Sequence, residues 1–414
     1  MNRSIRISSA LLIALAACTA SIAIGSDFTL NIFGNANMDD RIDQADIDLI
    51  QQIIAGPAEA TMLSDANLDG IVDQSDIKQV QDLMGGRAEK ISLIDGNQQN
   101  QTLKLPSKRI LPLNMRHAIA LAVLSGEERA VGVDSTVVER ADLFPRMSQL
   151  PAVGSTREPD IERIVSLKPD LLITFTNIPS PDALDDKLPE GIAVLRFDLS
   201  RSASLREEMA VLGFLLDEPE STQKYLDWYD RYVGEIEERA SLIEDKDRVR
   251  VLMERERSAD TGPTARWAYA SETGYTDLVD NAGGINIARG FMEGNKDLEA
   301  EFVIDKDPEV IVGLSYKGGY KSNDSEAMKA YYDEIMSFGG FANISAVRNG
   351  RVHIISGDFS IGPQLVVGAA TVAKWLYPEQ FRDLDPVQVH REFLSDLMNL
   401  DYDPTEKGAF TYPE

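Results

Sequence analysis

Short apolar runs and longer amphipathic segments alternate along most of the chain. The short runs, each typical of a buried strand, lie at residues 109–113, 130–134, 170–175, 192–197, 249–254, 309–313 and 351–356. The segments between them repeat apolar residues every three or four positions, as helices packed on a sheet do. This alternation predicts an α/β fold with parallel sheets covered by helices.

One long helical pattern stands between the fourth run and the fifth. It extends from Glu218 to Asp245, and its apolar positions are Tyr225, Tyr229, Tyr232, Ile236, Ala240 and Ile243. At about 1.5 Å per residue this helix is roughly 40 Å long, enough to cross from one lobe to another. The sequence therefore predicts two Rossmann-like lobes, residues 109–216 and 247–400, with a connecting helix in residues 217–246 and a tail from 401 to 414.

An internal repeat supports the division into two lobes. Residues 162–173 read ERIVSLKPDLLI and residues 301–312 read EFVIDKDPEVIV. In each copy a glutamate stands seven residues before a proline that ends a short helix and precedes a buried strand. We therefore expect Glu162 and Glu301 to lie on equivalent faces of the two lobes.

A second repeat precedes the lobes and has the spacing of calcium ligands. The loop DANLDGIVDQSD places oxygen donors at positions 1, 3, 5, 7, 9 and 12, which are Asp65, Asn67, Asp69, the Ile71 carbonyl, Asp73 and Asp76. Ca²⁺ takes six or more oxygens, and Gly70 at position 6 allows the sharp turn that such a loop needs. A Ca²⁺ site is predicted in this loop.

The earlier copy, NANMDDRIDQAD, predicts a second and weaker Ca²⁺ site. Its donors are Asn35, Asn37, Asp39, the Arg41 carbonyl, Asp43 and Asp46. Position 1 is uncharged and position 6 is Asp40 in place of glycine, so both charge and turn geometry are less favourable.

The aspartate at position 12 and the single helix after each loop resemble the type I dockerin module over residues 28–87. That resemblance implies a cohesin partner, but a calcium-stabilised spacer explains the same pattern. Residues 88–108 follow as a linker in which Asp95-Gly96 separates two alternating runs, as in a hairpin.

The first 26 residues are typical of an export signal, with Arg3 and Arg6 ahead of an apolar run. The sequence LAAC resembles a lipobox, which implies a lipid on Cys18, the only cysteine of the chain. An incidental cysteine in a signal cut near Gly25 is the alternative. Later runs are too short to span a membrane, so we expect a protein of the cell surface or periplasm that meets the membrane only through a lipid.

The formal net charge of −27 argues against a nucleic-acid partner, because such partners bind through clustered lysine and arginine. Three histidines, His117, His353 and His390, stand far apart, with none of the spacings that bind a bare metal ion. His353 alternates within a strand pattern, which is typical of a packed histidine.

Three stretches, KRILPLNMRHAIALAVLSGEERAVGVD, LPAVGSTREPDIERIVSLKPDLLITF and YPEQF, resemble the class III periplasmic-binding proteins of ABC importers, from about Lys90 to Leu400. The resemblance implies a non-catalytic protein that captures an iron-siderophore, haem or corrinoid complex in the cleft between its lobes. It also implies a permease dimer with a cytoplasmic ATPase as partner, with Glu162 and Glu301 docking to permease arginines. From the residues alone, each glutamate is also explained as an exposed acid favoured by a helix dipole, although their matched placement favours docking.

Ligands of parallel sheets bind beyond the carboxyl ends of the strands, which predicts the cleft residues. They are Asn114, Arg116, Ser155, Arg157, Asn177, Arg266, Trp267, Tyr269, Tyr316, Lys317, Asp358 and Phe359. Arginines with aromatic rings suit an anionic, partly apolar chelate. Each of these residues is also consistent with an ordinary surface loop or the edge of a core.

Two other functions stay open at this stage. A secreted hydrolase carried on a dockerin would need catalytic residues, but the sequence has no Gly-x-Ser-x-Gly, His-Glu-x-x-His or Gly-x-Gly-x-x-Gly motif. Paired carboxylates for glycoside hydrolysis are compatible with the 68 acidic residues. A surface-assembly protein with a degenerate binding domain is the third reading.

Overall fold

The computed structural model describes residues 28–257, 262, 264–271, 273–292 and 294–413 of the 414-residue chain. The strands are β1 (Lys90–Ile94), β2 (Asn100–Lys104), β3 (Ile110–Pro112), β4 (Leu171–Thr174), β5 (Ala193–Arg196), β6 (Arg250–Arg255), β7 (Ala265–Tyr269), β8 (Ile285–Asn286), β9 (Asn295–Glu299), β10 (Val310–Ser315), β11 (Val352–Ser356) and β12 (Thr411–Tyr412). The predicted export signal and Cys18 lie outside the described residues.

The helices follow the predicted alternation with these strands. They are α1 (Gln44–Ala55), α2 (Gln74–Met84), α3 (Met115–Val123), α4 (Ser135–Val138), α5 (Ile161–Leu167), α6 (Pro181–Leu184), α7 (Ser202–Leu216), α8 (Pro219–Ser241), α9 (Gly274–Asn281), α10 (Ala300–Lys306), α11 (Glu326–Ser337), α12 (Ser345–Arg348), α13 (Leu365–Leu376) and α14 (Pro386–Glu392). In the described part of the chain, none of them is long and apolar enough to cross a membrane.

The first lobe is built on the parallel sheet β3-β4-β5. Leu171, Leu172 and Ile173 are buried on both faces of the central strand, which explains the continuous apolar run there. The predicted strand at residues 130–134 forms only isolated parallel bridges, Ile110 with Ala130 and Val133 with Ala152. The prediction was wrong at that run, because Gly132 and Asp134 interrupt its apolar side chains.

The second lobe has a mixed sheet in the order β12-β11-β10-β6-β7-β9, with β8 also paired to β6. Strands β6, β10 and β11 are parallel, as their apolar runs predict. Strands β7, β9 and β12 are antiparallel to their neighbours and were not predicted. The sequence of β9, NKDLE, buries only Leu298, so it lacks the pattern by which a strand is recognised.

Helix α8 connects the lobes and confirms the long helical pattern. Tyr225, Tyr229 and Ile236 are buried along it, and the Tyr225 hydroxyl donates to the Pro363 carbonyl at 3.0 Å. Because Pro363 belongs to the second lobe, the helix is fixed to both halves. Apolar residues of both lobes and of this helix form one continuous core.

The internal repeat is also visible in three dimensions. Helices α5 and α10 both end at a residue in the left-handed conformation, Lys168 (φ 49°) and Asp307 (φ 44°). In each lobe an arginine at or just before the start of the strand paired with the one that follows the helix donates to the helix end. Arg109 donates to the Lys168 carbonyl at 2.9 Å, and Arg250 donates to the Asp307 carbonyl at 3.0 Å. The two lobes therefore share a local design around Glu162 and Glu301.

The segment before the lobes consists of two loop-helix units and the predicted hairpin β1-β2. Both helices begin with a capping box, formed by Asp43 with Asp46 and by Asp73 with Asp76. Residues Leu30, Ile32 and Leu83 are buried in the same apolar core as the first lobe. Ile32 also pairs with Leu93 of the hairpin. The segment is thus packed against the lobe as part of one body.

Arg266 lies in the interior of the second lobe and was wrongly predicted as a ligand residue. Its side chain is fully buried, and its Nε donates to Glu254 Oε2 at 2.8 Å while a second nitrogen donates to Glu334 at 2.6 Å. Tyr331 donates to Glu254 at 3.0 Å. The arginine is therefore fully occupied by partners on β6 and α11 and is unavailable to a ligand.

Replacing Arg266 by Met should destabilise the protein strongly, because Glu254 then remains buried without its cation. We expect a loss of about 3–5 kcal/mol in the free energy of unfolding, measured by urea titration with circular dichroism. Asp383→Asn, which breaks the exposed pair with Arg239, should lower the free energy of unfolding far less, because solvent screens that pair. Equal losses in the two variants would contradict this assignment.

Candidate functional site

Side chains of the two lobes meet beyond the carboxyl ends of their parallel strands. Arg116, in the first turn of α3, lies with its Cγ 3.3 Å from the position that a Cβ would occupy on Gly362 of the second lobe. The guanidinium of Arg116 also lies over the Phe175 ring, 5.4 Å from its centroid. These contacts bring the two lobes together at the junction where the strand-end rule predicts a ligand cleft, and that junction is called the cleft below.

Three tyrosines line the second-lobe side of this cleft. The hydroxyls of Tyr269 and Tyr316 are 3.4 Å apart, and the rings of Tyr269 and Tyr275 are 5.2 Å apart between centroids. Tyr316 is 51% exposed, whereas the other two are buried. Gly357 lies beside them, since a Cβ there would be 3.1 Å from the Tyr275 hydroxyl. The group thus combines one exposed phenol, that of Tyr316, with two buried ones.

Burial raises the pKa of both Tyr269 and Tyr275, and the neighbouring Tyr316 raises it further. Both phenols are therefore protonated at neutral pH. A protonated phenol donates a hydrogen bond but does not bind a metal ion as phenolate would. These two phenols are consequently suited to donate hydrogen bonds to oxygen atoms and are not suited to coordinate a metal cation.

Two arginines flank the tyrosines. Arg116 acts electrostatically on Tyr275, and Arg255, at the end of β6, acts on Tyr269. The guanidinium of Arg255 lies 4.2 Å from the Trp267 ring centroid. Within the described residues neither arginine forms an ion pair. Two uncompensated positive charges with aromatic surfaces therefore border the cleft.

Several other predicted ligand residues have structural roles at its rim. Asn114 caps α3 and donates to Thr156 at 3.1 Å, and Ser155 accepts the backbone N–H of Glu158. Lys317 pairs with Glu256 at 2.6 Å. Arg157 and Asn177 are exposed on the first lobe. These positions remain predictions as ligand contacts.

The prediction that the side chains of Asp358 and Phe359 bind the ligand was wrong, because both are buried. Asp358 pairs with Arg140 at 2.7 Å, and its side chain is 9% exposed. Phe359 packs against His390 and Phe410, with centroid distances of 5.3 and 5.1 Å. Neither side chain faces the cleft, although the backbone of this segment borders it.

Three cleft residues were missed by the sequence analysis. Phe175 is the last residue of the run that forms β4, and Arg255 directly follows the run that forms β6, so applying the strand-end rule from the last residue of each run to the one after it identifies both. Tyr275 lies in the first turn of α9 and follows no recognisable pattern.

The histidines are packed within the protein. Burial lowers the pKa of His117 and His353 to about 4 and that of His390 to about 3, so all are neutral at pH 7. His353 stacks on Trp375 with centroids 4.5 Å apart, as its place in a strand suggested. In the part of the chain that the structure describes, no group of three or more His, Cys, Asp or Glu side chains is placed to hold a metal ion.

The predicted calcium loops are folded, but their carboxylates mostly accept backbone N–H groups. Asp65 accepts from Gly70 at 2.7 Å, and Asp69 accepts from Ile71 at 3.0 Å. In the earlier loop the Oδ1 of Asn35 is buried without a hydrogen-bond partner. The described acidic side chains of these loops are not gathered into a metal-holding group, and calcium binding stays a prediction.

Glu162 and Glu301 occupy the same position in the first turns of α5 and α10. Both are exposed, and neither forms an ion pair with another described residue. Their equivalent placement confirms the prediction from the internal repeat. It leaves both carboxylates available to an external cation.

Comparison with known proteins gives one family. The model described as "Periplasmic binding protein" matches residues 113–358. The uncharacterized ABC transporter substrate-binding lipoprotein YvrC of Bacillus subtilis is 22% identical over 291 residues, which cover 69% of this chain and 85% of YvrC. The molybdate-binding protein MolA of Haemophilus influenzae is 22% identical over 63% of this chain and 76% of MolA.

Solved structures agree on the fold. The TroA-like periplasmic binding protein FepB of Veillonella parvula superposes with a TM-score of 0.62 at 20% identity, over 77% of this chain and 98% of FepB. The predicted role as the binding protein of an ABC importer is confirmed by the family match, and the family consists of solute-binding transport components rather than enzymes. On this evidence the chain belongs to the periplasmic binding protein family.

Proposed function

We propose that this protein captures an anionic metal chelate, such as an iron-siderophore, haem or corrinoid complex, and delivers it to an ABC permease. The observation that supports this cargo most directly is the pair of arginines beside the tyrosine group, Arg116 and Arg255, neither of which forms an ion pair with a described residue. A bare metal cation is disfavoured between two such charges. A chelate with outward oxygen atoms suits them.

The aromatic side chains supply the second half of the argument. Phe175 and Trp267 present ring faces beside the arginines, and planar ligands stack on such faces. Tyr316, the exposed member of the tyrosine group, can donate its hydroxyl to a ligand oxygen. MolA, the relative named for molybdate, is named for an oxyanion, and a small oxyanion is the second candidate cargo.

Ligand identity can be tested by tryptophan fluorescence, because Trp267 lies at the cleft. The mature protein would be titrated with haem, cobalamin, several ferric siderophores and molybdate. We expect saturable quenching by one chelate, with about 10- to 100-fold weaker binding in Arg116→Ala, because a charge-assisted hydrogen bond contributes about 1.5–3 kcal/mol.

Arg382→Ala, an exposed arginine remote from the cleft residues, is the matched control and should bind as the wild type does. Saturable binding of molybdate alone would replace the chelate by the oxyanion. Binding that is equally strong in Arg116→Ala would reject the cleft assigned here.

We also propose that Glu162 and Glu301 dock the two lobes onto permease arginines. Both carboxylates are exposed, unpaired with described residues and equivalent between lobes, so they present two negative charges in a fixed relation. If each glutamate only complemented the dipole of its helix, the two would not need to occupy equivalent positions in the two lobes.

The docking role predicts a selective defect. Glu162→Gln with Glu301→Gln should reduce stimulation of the permease ATPase by on the order of tenfold, with chelate affinity unchanged. The ATPase rate would be measured in proteoliposomes at increasing binding-protein concentration. Glu190→Gln, an exposed acid elsewhere on the first lobe, should stimulate normally. Full stimulation by the double variant would exclude these glutamates.

Calcium binding in the two loops of residues 35–46 and 65–76 is proposed as well. The buried, unpartnered Oδ1 of Asn35 and the left-handed Gly70 (φ 92°) both suit a cation enclosed by its loop. When bound, Ca²⁺ would neutralise neighbouring carboxylates that otherwise repel one another. The packing of this segment on the first lobe favours a role as a spacer over a role in binding a cohesin.

Calorimetry with Ca²⁺ on the mature protein should resolve a tighter and a weaker site. Asp69→Asn should remove the tighter one and Asp39→Asn the weaker one, because the later loop has one more carboxylate and a glycine at the turn. Asp82→Asn, which affects only the surface pairs with Lys78 and Arg87, should leave both. Absence of heat from the wild-type protein would contradict the proposal.

A lipid on Cys18 is the proposed means of retention at the membrane. The B. subtilis relative carries the word lipoprotein in its name, and the sequence LAAC of this chain resembles a lipobox. Detergent partitioning of the wild type and of Cys18→Ser would separate a lipid anchor from a simple export signal.

A further inference from the structure

A buried ion pair joins the two lobes beside the cleft. Arg140 follows α4 in the first lobe, and Asp358 follows β11 in the second, 218 residues further along the chain. The Arg140 Nη2 donates to Asp358 Oδ2 at 2.7 Å, and the two side chains are 4% and 9% exposed. Burial strengthens the attraction within this pair, because little water screens it.

Asp358 belongs to residues 357–364, which form a wall of the cleft. At one end, a Cβ on Gly357 would lie 3.1 Å from the Tyr275 hydroxyl and 3.3 Å from the Tyr316 ring. Near the other end, Gly362 lies against Arg116. The backbone that carries Asp358 is therefore in contact with the flanking arginine and with two of the cleft tyrosines.

The same wall is tied to itself by a side chain. Gln364 donates its amide to the Asp358 carbonyl at 3.0 Å, so residues 358–364 are closed into one turn. A displacement of Asp358 must then move the whole turn. Through Gly357 and Gly362, that displacement reaches both sides of the ligand cleft.

The junction also carries polar atoms that are buried without partners. They are the Nη1 of Arg140, the Oγ of Ser360 and the Oε1 of Gln364. Such atoms cost free energy, and a buried ion pair often contributes less stability than apolar residues of the same volume would. The buried ion pair is therefore better explained by a need to hold residues 357–364 in one position than by a gain in the free energy of unfolding.

We propose that Arg140 and Asp358 form a latch between the lobes that fixes the wall 357–364 and sets the width of the ligand cleft. Arg140 is thus a positioning residue, which affects ligand binding only through Asp358. When the pair is lost, the wall is released from the first lobe and the lobes adopt a wider range of separations. The role in binding rests on the proposed function, whereas the effect on lobe separation does not.

The latch can be tested by spin-label distance measurements without any ligand. Because Cys18 is the only cysteine, a Cys18→Ser background accepts two new labels cleanly. Ser166→Cys on α5 and Asp305→Cys next to the end of α10 are exposed and occupy equivalent positions of the two lobes. We expect a narrow distance distribution in the parent and at least a twofold broader one in Arg140→Gln and in Asp358→Asn.

Combining the two substitutions should broaden the distribution no further, because each alone already removes the same interaction. Asp185→Asn, which breaks the Arg196 ion pair inside the first lobe, is the matched control and should match the parent. Unchanged distributions in both folded single variants would overturn the latch, as would broadening in Asp185→Asn of the same size.

Hydrogen exchange on the unmodified protein gives an independent measurement if the variants fold poorly. The latch requires the amides of residues 357–362 to be protected about as strongly as those of β11. Rapid exchange of this segment in the folded wild-type protein would refute the proposal. Because neither measurement uses a chelate, a wrong cargo leaves both conclusions intact.

Discussion

The arrangement of this molecule depends on the attachment of helix α8 to both lobes. Tyr225 is completely buried in the middle of the core, and its hydroxyl donates to a backbone carbonyl of the second lobe. Because the apolar residues of the helix belong to one continuous core with both sheets, the lobes cannot separate widely without exposing that core. The junction between the lobes is therefore confined to a narrow range of shapes, so the side chains proposed to bind the ligand are largely preassembled.

The arginines of the protein show how the surroundings decide the role of a residue type. Arg266 and Arg140 are buried with carboxylates, so their charges are used within the fold. Arg116 and Arg255 lie against aromatic rings, with no carboxylate partner in the described chain. An aromatic face holds a guanidinium in place while leaving its charge uncompensated. Such charges are free to act on a ligand, whereas charges with buried partners are not.

Much of the fold followed from hydrophobic pattern, because buried parallel strands and the long helix have strong periodic signals. Three antiparallel strands were missed: β9 buries one apolar side chain, β12 has only two residues, and β7 is mostly buried but has the charged Arg266 among its buried residues. Their formation depends on neighbours distant in the chain. The junction of the lobes followed from the strand-end rule, but which side chains lie there followed only in part. Arg266 and Arg255 occupy adjacent strands of one lobe, and no local pattern tells which of them finds a carboxylate.

The packing of the N-terminal loop-helix segment has a consequence for how the gene can be rearranged. Its resemblance to a mobile module suggests a unit that recombination can remove or exchange. Yet Leu30, Ile32 and Leu83 share a core with the hairpin and the first lobe, and Ile32 pairs with the hairpin strand. A chain that lacks the residues before 88 would expose Ile91 and Leu93 to water along an open strand edge. Such an edge is prone to aggregation. The sequence of this segment resembles a transferable module, but its packing makes it an integral part of the fold.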